Sequence, residues 1–427
     1  METKQKNYAL PIAMMCALFF MISFVTGLAN PLGVIVKNQF GVTNFMSTLG
    51  NAANFIAYAF MGIPSGLLLA RIGYKKTALS AIIVGLIGVA IQFLSGQAGS
   101  FGIYLAGAFI SGFSMCMLNT VVNPMLNTLG GGGKKGNQLI QIGGSINSIG
   151  ATIVPVFVGY LMGDVASASI KDANPALFIA MGIFALAFFV LFFMEIPEPN
   201  IVGKAEGEIK NEHSPLSFRH FILGAIAIFI YVGIEVGIPN IANLFMTSDS
   251  GQGGLNINAT IAGTVVGTYW FLMLLGRLTG ASFGAKVSPK AMLGAVASLA
   301  MVLVMLAIFS PITTTVQMPV FRSDISFGLA EVPISVMFLI LAGICTSVMW
   351  GSIFNLAVEG LGKYTAAGSG FFMVMVCGGG ILPMIQGFVA DKTSYISSYW
   401  VVFIALAYIL FYAFVGSKNV NKDIPVE

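Results

Sequence analysis

Charged residues are scarce in this chain. They make up 8% of its 427 residues, whereas an ordinary soluble domain has about 25%. Hydrophobic residues make up 57% and the mean hydropathy is +0.91, so the composition predicts a protein that lives in a lipid bilayer. The net charge of +4 is small and scattered along the chain, and we therefore expect no nucleic acid as a partner.

Residues that commonly bind metals are also few. The cysteines lie in apolar segments without a CxxC pair, and the histidines flank a charged loop; they are Cys16, Cys116, Cys345, Cys377, His213 and His220. We interpret the cysteines as reduced packing residues. We expect neither a metal site nor a histidine base.

A phosphate-binding loop is missing as well, although residues 130–133 are all glycine and precede Lys134 and Lys135. The GxxxxGK pattern would need glycine at Thr128 and Ser or Thr at Lys135. The sequence shows no nucleotide site, no metal cluster and no nucleophile beside a base. We therefore expect neither an enzyme nor an ATP-driven pump, and no cofactor.

Long apolar runs are what the chain has in abundance. They predict an all-α membrane protein with twelve transmembrane helices, since one crossing takes about 20 residues. The predicted spans lie near residues 8–34, 45–70, 77–95, 100–127, 138–162, 174–194, 219–246, 258–284, 290–310, 332–357, 366–390 and 396–416.

One long polar stretch, residues 195–219, divides these spans six and six. Its prolines, lysines and glutamates are typical of a solvated connection. The predicted domains are an N-terminal six-helix bundle at 1–195, a cytoplasmic linker at 196–218, and a C-terminal six-helix bundle with a short cytoplasmic tail at 219–427.

The distribution of lysine and arginine predicts that both termini are cytoplasmic. Most basic residues fall in the termini and in loops on the same side of the membrane as the termini. Loops on the opposite side hold only Lys37, Lys171, Arg322 and Lys392. Cytoplasmic loops carry the excess of basic residues, so the basic side is assigned to the cytoplasm. Arg277 falls inside the eighth span.

The two halves carry traces of an internal repeat. The matching positions are Ala70, Arg71 and Lys75 with Ala285, Lys286 and Lys290; Asn123 and Gly130 with Asn355 and Gly362; and Gly150, Pro155 and Gly159 with Gly378, Pro383 and Gly387. A longer loop at about 311–331 absorbs the difference in spacing. Parallel six-helix repeats with a site between them describe the major facilitator architecture of alternating-access carriers.

Glycines spaced by four give several helices a small face. They are Gly62 and Gly66, Gly263 and Gly267, and Gly276, Gly280 and Gly284. Such faces allow two backbones to approach closely. Two interpretations stay open: static packing, or surfaces on which the halves rock. The candidate structural or gating residues are Arg71, Gly276, Arg277 and Gly280.

Polar side chains inside the spans form the candidate binding site. They are Asn30, Asn119, Asn123, Gln141, Asn147, Tyr231, Trp350, Asn355 and Gln386. Amides both donate and accept hydrogen bonds, and flat aromatic rings stack on C–H faces, which suits a neutral polyhydroxylated solute such as a sugar. A dicarboxylate or phosphate would need several cations inside the membrane, and only Arg277 is available.

Glu235 is the carboxylate that lies mid-way along a long apolar stretch. An ionised group in hydrocarbon costs at least a few kcal/mol, so such a residue usually faces a polar cavity. We predict that Glu235 binds or exchanges a cation, and that the movement of this cation is coupled to that of the solute. For other residues a structural role stays open: Asn123 as a cap at the Pro124 break, Arg277 as a helix clamp and Trp350 as a core residue.

Several segments resemble the fucose:proton symporter family of the major facilitator superfamily, in order and in spacing. They are residues 118–124 (LNTVVNP), 147–150 (NSIG), 276–280 (GRLTG), 353–354 (IF), 359–362 (EGLG), 368–369 (GS) and 378–381 (GGGI). Residues 231–236 (YVGIEV) resemble the glucose/galactose transporter branch of that family. The resemblance implies a bacterial inner-membrane importer of a monosaccharide, driven by a cation gradient. We expect it to act as a monomer.

The departures from the family concern its acids. Positions matching Asn30 and Asn119 are an aspartate and a glutamate in the fucose carriers, where they handle the proton and the sugar. Asn147 matches a sugar-contacting asparagine, whereas Gly144 replaces a nearby glutamine. Either coupling is lost here or the carboxylate task has moved to Glu235, with a proton or a sodium ion as the co-transported species. An exporter or uniporter of another small polar metabolite or drug is the alternative.

Overall fold

The computed structural model describes residues 8–40, 44–162, 169–198, 213–248, 250–322, 326–421 and 423–426. Helices dominate this part of the chain. They are α1 (Ala9–Phe40), α2 (Asn44–Ala98), α3 (Phe101–Leu129), α4 (Gly133–Met162), α5 (Asn174–Phe193), α6 (Arg219–Thr247), α7 (Ala259–Phe283), α8 (Pro289–Phe309), α9 (Ile334–Thr346), α10 (Met349–Val358), α11 (Thr365–Val374), α12 (Gly378–Lys392) and α13 (Tyr399–Phe411). Two strands, β1 (Thr315–Phe321) and β2 (Phe327–Pro333), lie between α8 and α9.

Within the described residues, 10 helical segments are long and apolar enough to cross a membrane. One of them, Ala53–Ala98 in α2, has 46 residues. At 1.5 Å per residue it is about 69 Å long, roughly twice the thickness of a bilayer core. Its backbone breaks at Gly73, where φ is 83° and ψ is 175°. The predicted second and third spans therefore correspond to two helical segments that meet at a kink at Gly73.

Two other predicted spans are interrupted. The tenth is divided into α9 and α10 by a turn at residues 347–348. The eleventh is divided into α11 and α12 by a 3₁₀ turn, Met375–Cys377. The turn precedes Gly378, where a Cβ atom would clash with the main chain of Phe229 on α6. Such irregular backbone is tolerated at membrane depth only where protein or water satisfies it.

The loop at about 311–331 contains strands, which the sequence analysis did not predict. Strands β1 and β2 pair there as an antiparallel hairpin, from Thr315 opposite Pro333 to Phe321 opposite Phe327. Side chains alternate between exposed and buried along both strands, as expected for strands with one covered face. The hairpin is anchored to α7: the Phe321 N–H donates to Thr268 Oγ1 at 2.8 Å, and the Phe271 and Phe321 rings stack at 4.5 Å.

Contacts between Cα atoms divide the chain into two compact units. The first unit comprises Met1–Pro215, Gly360–Val374 and Ile424–Glu427. The second unit comprises Leu216–Glu359 and Met375–Asp423. In the first unit α1 packs on α4, and α2 packs on α3 and α11; in the second, α6 packs on α10 and α12, and α9 packs on α7 and α8. The sequence-based domain boundaries stay a prediction.

Matching contacts in the two halves of the sequence favour an internal duplication. Lys75 Nζ donates to the Phe192 carbonyl at 2.8 Å, and Lys290 Nζ donates to the Phe414 carbonyl at 3.1 Å. In each case a lysine beside the start of the third predicted span of a half donates to a carbonyl near the end of the sixth predicted span of that half. Gly150 and Gly378 also correspond: a Cβ atom on Gly150 would clash with Ser23 on α1, as one on Gly378 would clash with α6.

The glycine faces differ in what they contact. A Cβ atom on Gly66 would lie 2.8 Å from Gly370 Cα on α11, so α2 and α11 approach with backbones in contact. Gly276 similarly lies against α9, where its Cβ would be 2.8 Å from the Ile344 carbonyl oxygen. The expectation of close approach is wrong for Gly263, whose Cβ would meet no atom within 4 Å.

Candidate functional site

Glu235 forms an ion pair with Arg277. Glu235 lies in the middle of α6 and Arg277 near the end of α7, and the distance from Arg277 Nη2 to Glu235 Oε1 is 3.3 Å. The side chains of Arg277 and Glu235 are only 13% and 15% exposed. Opposite charges that are shielded from water attract each other more strongly than charges in solvent. The carboxylate therefore has a basic partner in this conformer.

Arg277 also contacts the interruption of the tenth span. Its Nε donates to the Ser347 carbonyl at 3.3 Å, at the turn between α9 and α10. One guanidinium thus joins α6, α7 and the α9–α10 turn. This arrangement fits the helix-clamping interpretation of Arg277 and places the clamp directly on Glu235.

Aromatic residues accompany the ion pair. Tyr231 lies one helical turn before Glu235 on α6, and its ring centroid is 6.4 Å from that of Trp350 on α10. The Tyr231 hydroxyl is buried and makes no hydrogen bond of ordinary geometry with a described residue, and it interacts with the Glu235 carboxylate one turn away. Because a buried polar group without a partner costs roughly 1–3 kcal/mol, this hydroxyl is suited to bind a ligand or a water molecule.

Gln386 on α12 shows the same deficit. It is buried, and its Nε2 has no hydrogen-bond partner in the described part of the chain. Its Oε1 lies against Gly237 on α6, where a Cβ atom would be only 2.7 Å away. Because Gly237 has no side chain, there is space for the Gln386 amide beside α6.

The backbone near Glu235 is also unusual. Pro239 lies inside α6 and has no N–H, so the Glu235 carbonyl, four residues earlier, receives no helical hydrogen bond from it. Glu235 thus has a carboxylate and a backbone carbonyl that lacks the hydrogen bond from residue 239. Oxygen ligands of both kinds bind small hard cations in broken transporter helices.

The first unit contains neutral amides in its candidate site. On α3, Asn119 Nδ2 donates to Tyr58 Oη on α2 at 2.8 Å and to the Met115 carbonyl at 3.1 Å. Asn123 Nδ2 donates to the Asn119 carbonyl at 2.9 Å. Asn123 is fully buried and precedes Pro124. Its hydrogen bond to the Asn119 carbonyl therefore favours the interpretation of Asn123 as a structural residue.

Asn147 on α4 joins its helix to α1. Its Nδ2 donates to the Phe19 carbonyl at 3.1 Å, which holds the two helices together near the close approach at Gly150. Gln141 on the same helix is buried, and its carbonyl accepts from Ser145 Oγ at 2.8 Å. The Asn147 contact uses one donor of an amide side chain that has two donors and an acceptor, whereas the Ser145 contact involves the Gln141 backbone.

For three of the remaining predicted residues, burial is the main observation. Asn355 on α10 is buried, Gly280 is buried and Arg71 is exposed. The side chain of Asn30 lies outside the described residues. The structure thus groups Tyr231, Glu235, Arg277, Trp350 and Gln386 in the second unit and groups Asn119, Asn123, Gln141 and Asn147 in the first unit.

Tyr58 is the site residue that sequence reasoning missed. Its hydroxyl accepts the Asn119 amide, but a tyrosine within an apolar span looks like a core residue. The weak signal was its place on the glycine-rich helix, one turn before Gly62. The Ser347 carbonyl was also missed, because a backbone contact leaves no mark in side-chain composition.

Comparisons with known proteins place the chain in a family. The profile of the Major Facilitator Superfamily matches residues 15–383. A glucose/galactose transporter of Brucella abortus biovar 1 (strain 9-941) is 30% identical over 421 residues, which cover 98% of this chain and 96% of the relative. The chain belongs to the major facilitator superfamily. It is a multi-pass membrane transporter and not an enzyme.

The chain is also similar to a fucose symporter in sequence and to a solved transporter in structure. The L-fucose-proton symporter of Escherichia coli (strain K12) is 24% identical over 414 residues, covering 91% of this chain and 88% of the relative. The crystal structure of the transporter FucP in its outward conformation matches with a TM-score of 0.81 and 21% identity, covering 97% of this chain and 100% of that chain. These matches confirm the resemblance drawn from the sequence and show the same fold.

Proposed function

We propose that this protein imports a neutral monosaccharide, a hexose such as fucose, glucose or galactose, by cation-coupled symport with alternating access. The observation that carries the sugar assignment is the similarity over 98% of the chain to a relative named as a glucose/galactose transporter. The relative named as an L-fucose-proton symporter supports the coupling. The proposed setting is the inner membrane of a bacterium, with the protein as a monomer.

The proposed topology has twelve spans with both termini in the cytoplasm. The 10 apolar segments include a 46-residue one that is bent at Gly73, which we count as two crossings. Helix α4, with 30 residues, supplies the remaining one. The asymmetry of lysine and arginine supports the orientation.

The site in the second unit is suited to a sugar. Gln386 Nε2 is buried without a partner among the described residues, and Tyr231 Oη makes no hydrogen bond of ordinary geometry with them. Sugar hydroxyls both donate and accept hydrogen bonds, so they could bind both groups. Trp350 offers a flat ring beside Tyr231. We assign these three residues to sugar binding, together with the amides Asn30, Asn119, Asn123, Gln141, Asn147 and Asn355.

We propose that Glu235 couples the cation by exchanging partners. In this conformer it is bound to Arg277 through one oxygen at 3.3 Å. A proton or sodium ion on Glu235 would replace Arg277, which would keep its bond to the Ser347 carbonyl. A ligand shifts a conformational equilibrium only by its differential affinity, and the broken ion pair supplies such a difference.

The test is sugar uptake by proteoliposomes that contain the purified protein. Glu235→Gln should abolish accumulation of labelled hexose against its gradient and leave counterflow exchange intact. Glu359→Gln is a matched control, because Glu359 is an exposed carboxylate of the same unit. Accumulation that persists unchanged in Glu235→Gln would show that the coupling site lies elsewhere. Imposed sodium and proton gradients would distinguish the two ions.

Uniport is the second candidate. The observation that favours it is the ion pair itself, because Arg277 already neutralises Glu235 and a transporter with no free charge in the membrane needs no co-transported cation. In that case the wild-type protein would equilibrate hexose without accumulating it under either gradient. Thermal stabilisation by fucose, glucose, galactose, mannose and N-acetylated sugars, with and without sodium, would identify the substrate for both candidates.

A further inference from the structure

A polar pocket lies at the end of α12 in the second unit, apart from the residues assigned above. It has a volume of about 540 Å³ and is lined by Gly253, Ala390, Asp391, Thr393, Ser394 and Tyr395. Small-molecule sites usually have volumes of about 300–1,000 Å³. The pocket therefore has the size of a small-molecule site and is far larger than a single ion needs.

The aromatic wall of the pocket is held in place before any ligand arrives. Tyr395 Oη and Ser248 Oγ are 2.9 Å apart and form a hydrogen bond. The Tyr395 ring also packs on Phe245, with 5.8 Å between the ring centroids. Gly253, which also lines the pocket, has a φ of 78°, a conformation that favours glycine, and contributes no side chain to the lining.

The polar groups of the pocket mainly accept hydrogen bonds. Thr393 Oγ1 donates its hydrogen to the Val389 carbonyl at 2.7 Å, and Ser394 Oγ donates to Ser397 Oγ at 2.8 Å. Thr393 Oγ1 keeps its lone pairs, whereas Ser394 Oγ already accepts one hydrogen bond, from the Ser397 N–H at 3.1 Å. Asp391 is exposed and forms no salt bridge with a described residue, and an ionised carboxylate only accepts. A ligand for this pocket therefore needs several donors.

Polyhydroxylated molecules meet these requirements. A sugar presents several hydroxyl donors to the carboxylate and hydroxyl oxygens, and its C–H face can lie on the Tyr395 ring. We propose that this pocket is a second carbohydrate-binding subsite, separate from the one that contains Tyr231 and Gln386. The inference rests on the proposed function. In the proposed orientation the pocket faces the outside, so it would bind the sugar on entry.

Photo-crosslinking tests the inference on the full-length protein. The probes are diazirine derivatives of glucose, galactose and fucose, and modified residues are located by mass spectrometry of peptides. We expect crosslinks within residues 390–395 as well as on the helices of the inner site, both reduced by unlabelled sugar. Asp391→Ala should weaken labelling of 390–395 about tenfold, as loss of one charge-assisted hydrogen bond implies, and leave the inner site labelled.

Two further variants sharpen the test. Lys392→Gln is the matched control, because Lys392 lies beside Asp391 but its Nζ is over the Phe388 ring at 5.8 Å; it should change neither set of crosslinks. Tyr395→Phe keeps the ring and removes the hydroxyl. It replaces Asp391→Ala in the test if that variant does not fold. We expect it to weaken the labelling of 390–395 less than Asp391→Ala does. Competed crosslinks on the inner helices alone would overturn the subsite and leave the proposed function standing. No competed crosslink anywhere would overturn both.

Discussion

The two units bury their polar groups by different means. In the first unit, Asn119 and Asn123 satisfy each other, Tyr58 and nearby carbonyls through neutral hydrogen bonds. In the second unit, Glu235 and Arg277 are buried as opposite charges. A neutral amide that loses one partner loses little, since an ordinary hydrogen bond contributes about 0.5–1.5 kcal/mol. A buried charge that loses its partner loses several times as much.

This difference indicates where a cation can act. The amides of the first unit can keep the same contacts in every conformation of a transport cycle. The ion pair is stable only while both charges are neutralised, so any step that separates them requires a substitute for Arg277. A proton or sodium ion is such a substitute. The second unit is therefore where we expect the coupling, and the first unit where we expect polar contacts that do not titrate.

Replacing Arg277 should have the largest effect on this comparison. Arg277→Gln leaves the Glu235 carboxylate without its basic partner and should cost about 3–5 kcal/mol, as found when one member of a buried pair is removed. Thermal unfolding in detergent would show this as a lower midpoint. The double variant Glu235→Gln with Arg277→Gln should recover most of the loss. If Arg277→Gln is as stable as wild type, the ion pair of the second unit contributes no more to stability than the neutral amides of the first unit.

A medium effect is expected where α2 meets α11 in the first unit. Gly66→Ala adds a methyl group 2.8 Å from Gly370 Cα, and such overpacking costs roughly 1–3 kcal/mol. The unfolding midpoint should fall. Gly182→Ala is the control in the same unit, because no atom lies within 4 Å of the added carbon, and alanine favours a helix. Equal midpoints for both variants would show that the helices adjust freely at this contact.

The smallest effect is expected for the amide cluster. Asn119→Ala removes the donor to Tyr58 Oη and should cost about 1 kcal/mol. A double-mutant cycle with Tyr58→Phe measures the coupling between the two side chains, and the same cycle on Glu235 and Arg277 measures the ion pair. We expect the second coupling energy to be the larger. A coupling energy for Asn119 and Tyr58 as large as that of the ion pair would remove the contrast between the units.

Sequence reasoning located helices well and their breaks poorly. The apolar runs predicted the helices because a bilayer imposes both their length and their composition. Hydropathy separates the second and third spans near Gly73, where the structure has a kink at a residue with a φ of 83°. It cannot see the 3₁₀ turn Met375–Cys377, however, because the residues there are as apolar as their neighbours.

The hairpin was missed for a related reason. Residues 315–321 and 327–333 alternate in burial, but valine, methionine and phenylalanine also suit an apolar helix or a loop end. The alternation becomes meaningful only because α7 covers one face, with Phe271 against Phe321. Short apolar runs do not distinguish strands from other elements without such a neighbour.

By itself, the order of residues determined that this protein spans a membrane and that Glu235 and Arg277 are the exceptional charges, and it predicted that the two halves are related. Those conclusions depend on composition and spacing, which the solvent imposes on every segment separately. Only the folded chain decided that these two charges meet at 3.3 Å, that Gln386 Nε2 is buried without a partner among the described residues, and that a polar pocket forms beside Asp391. Each of these depends on the packing of helices that are distant in sequence, and no local pattern specifies that packing.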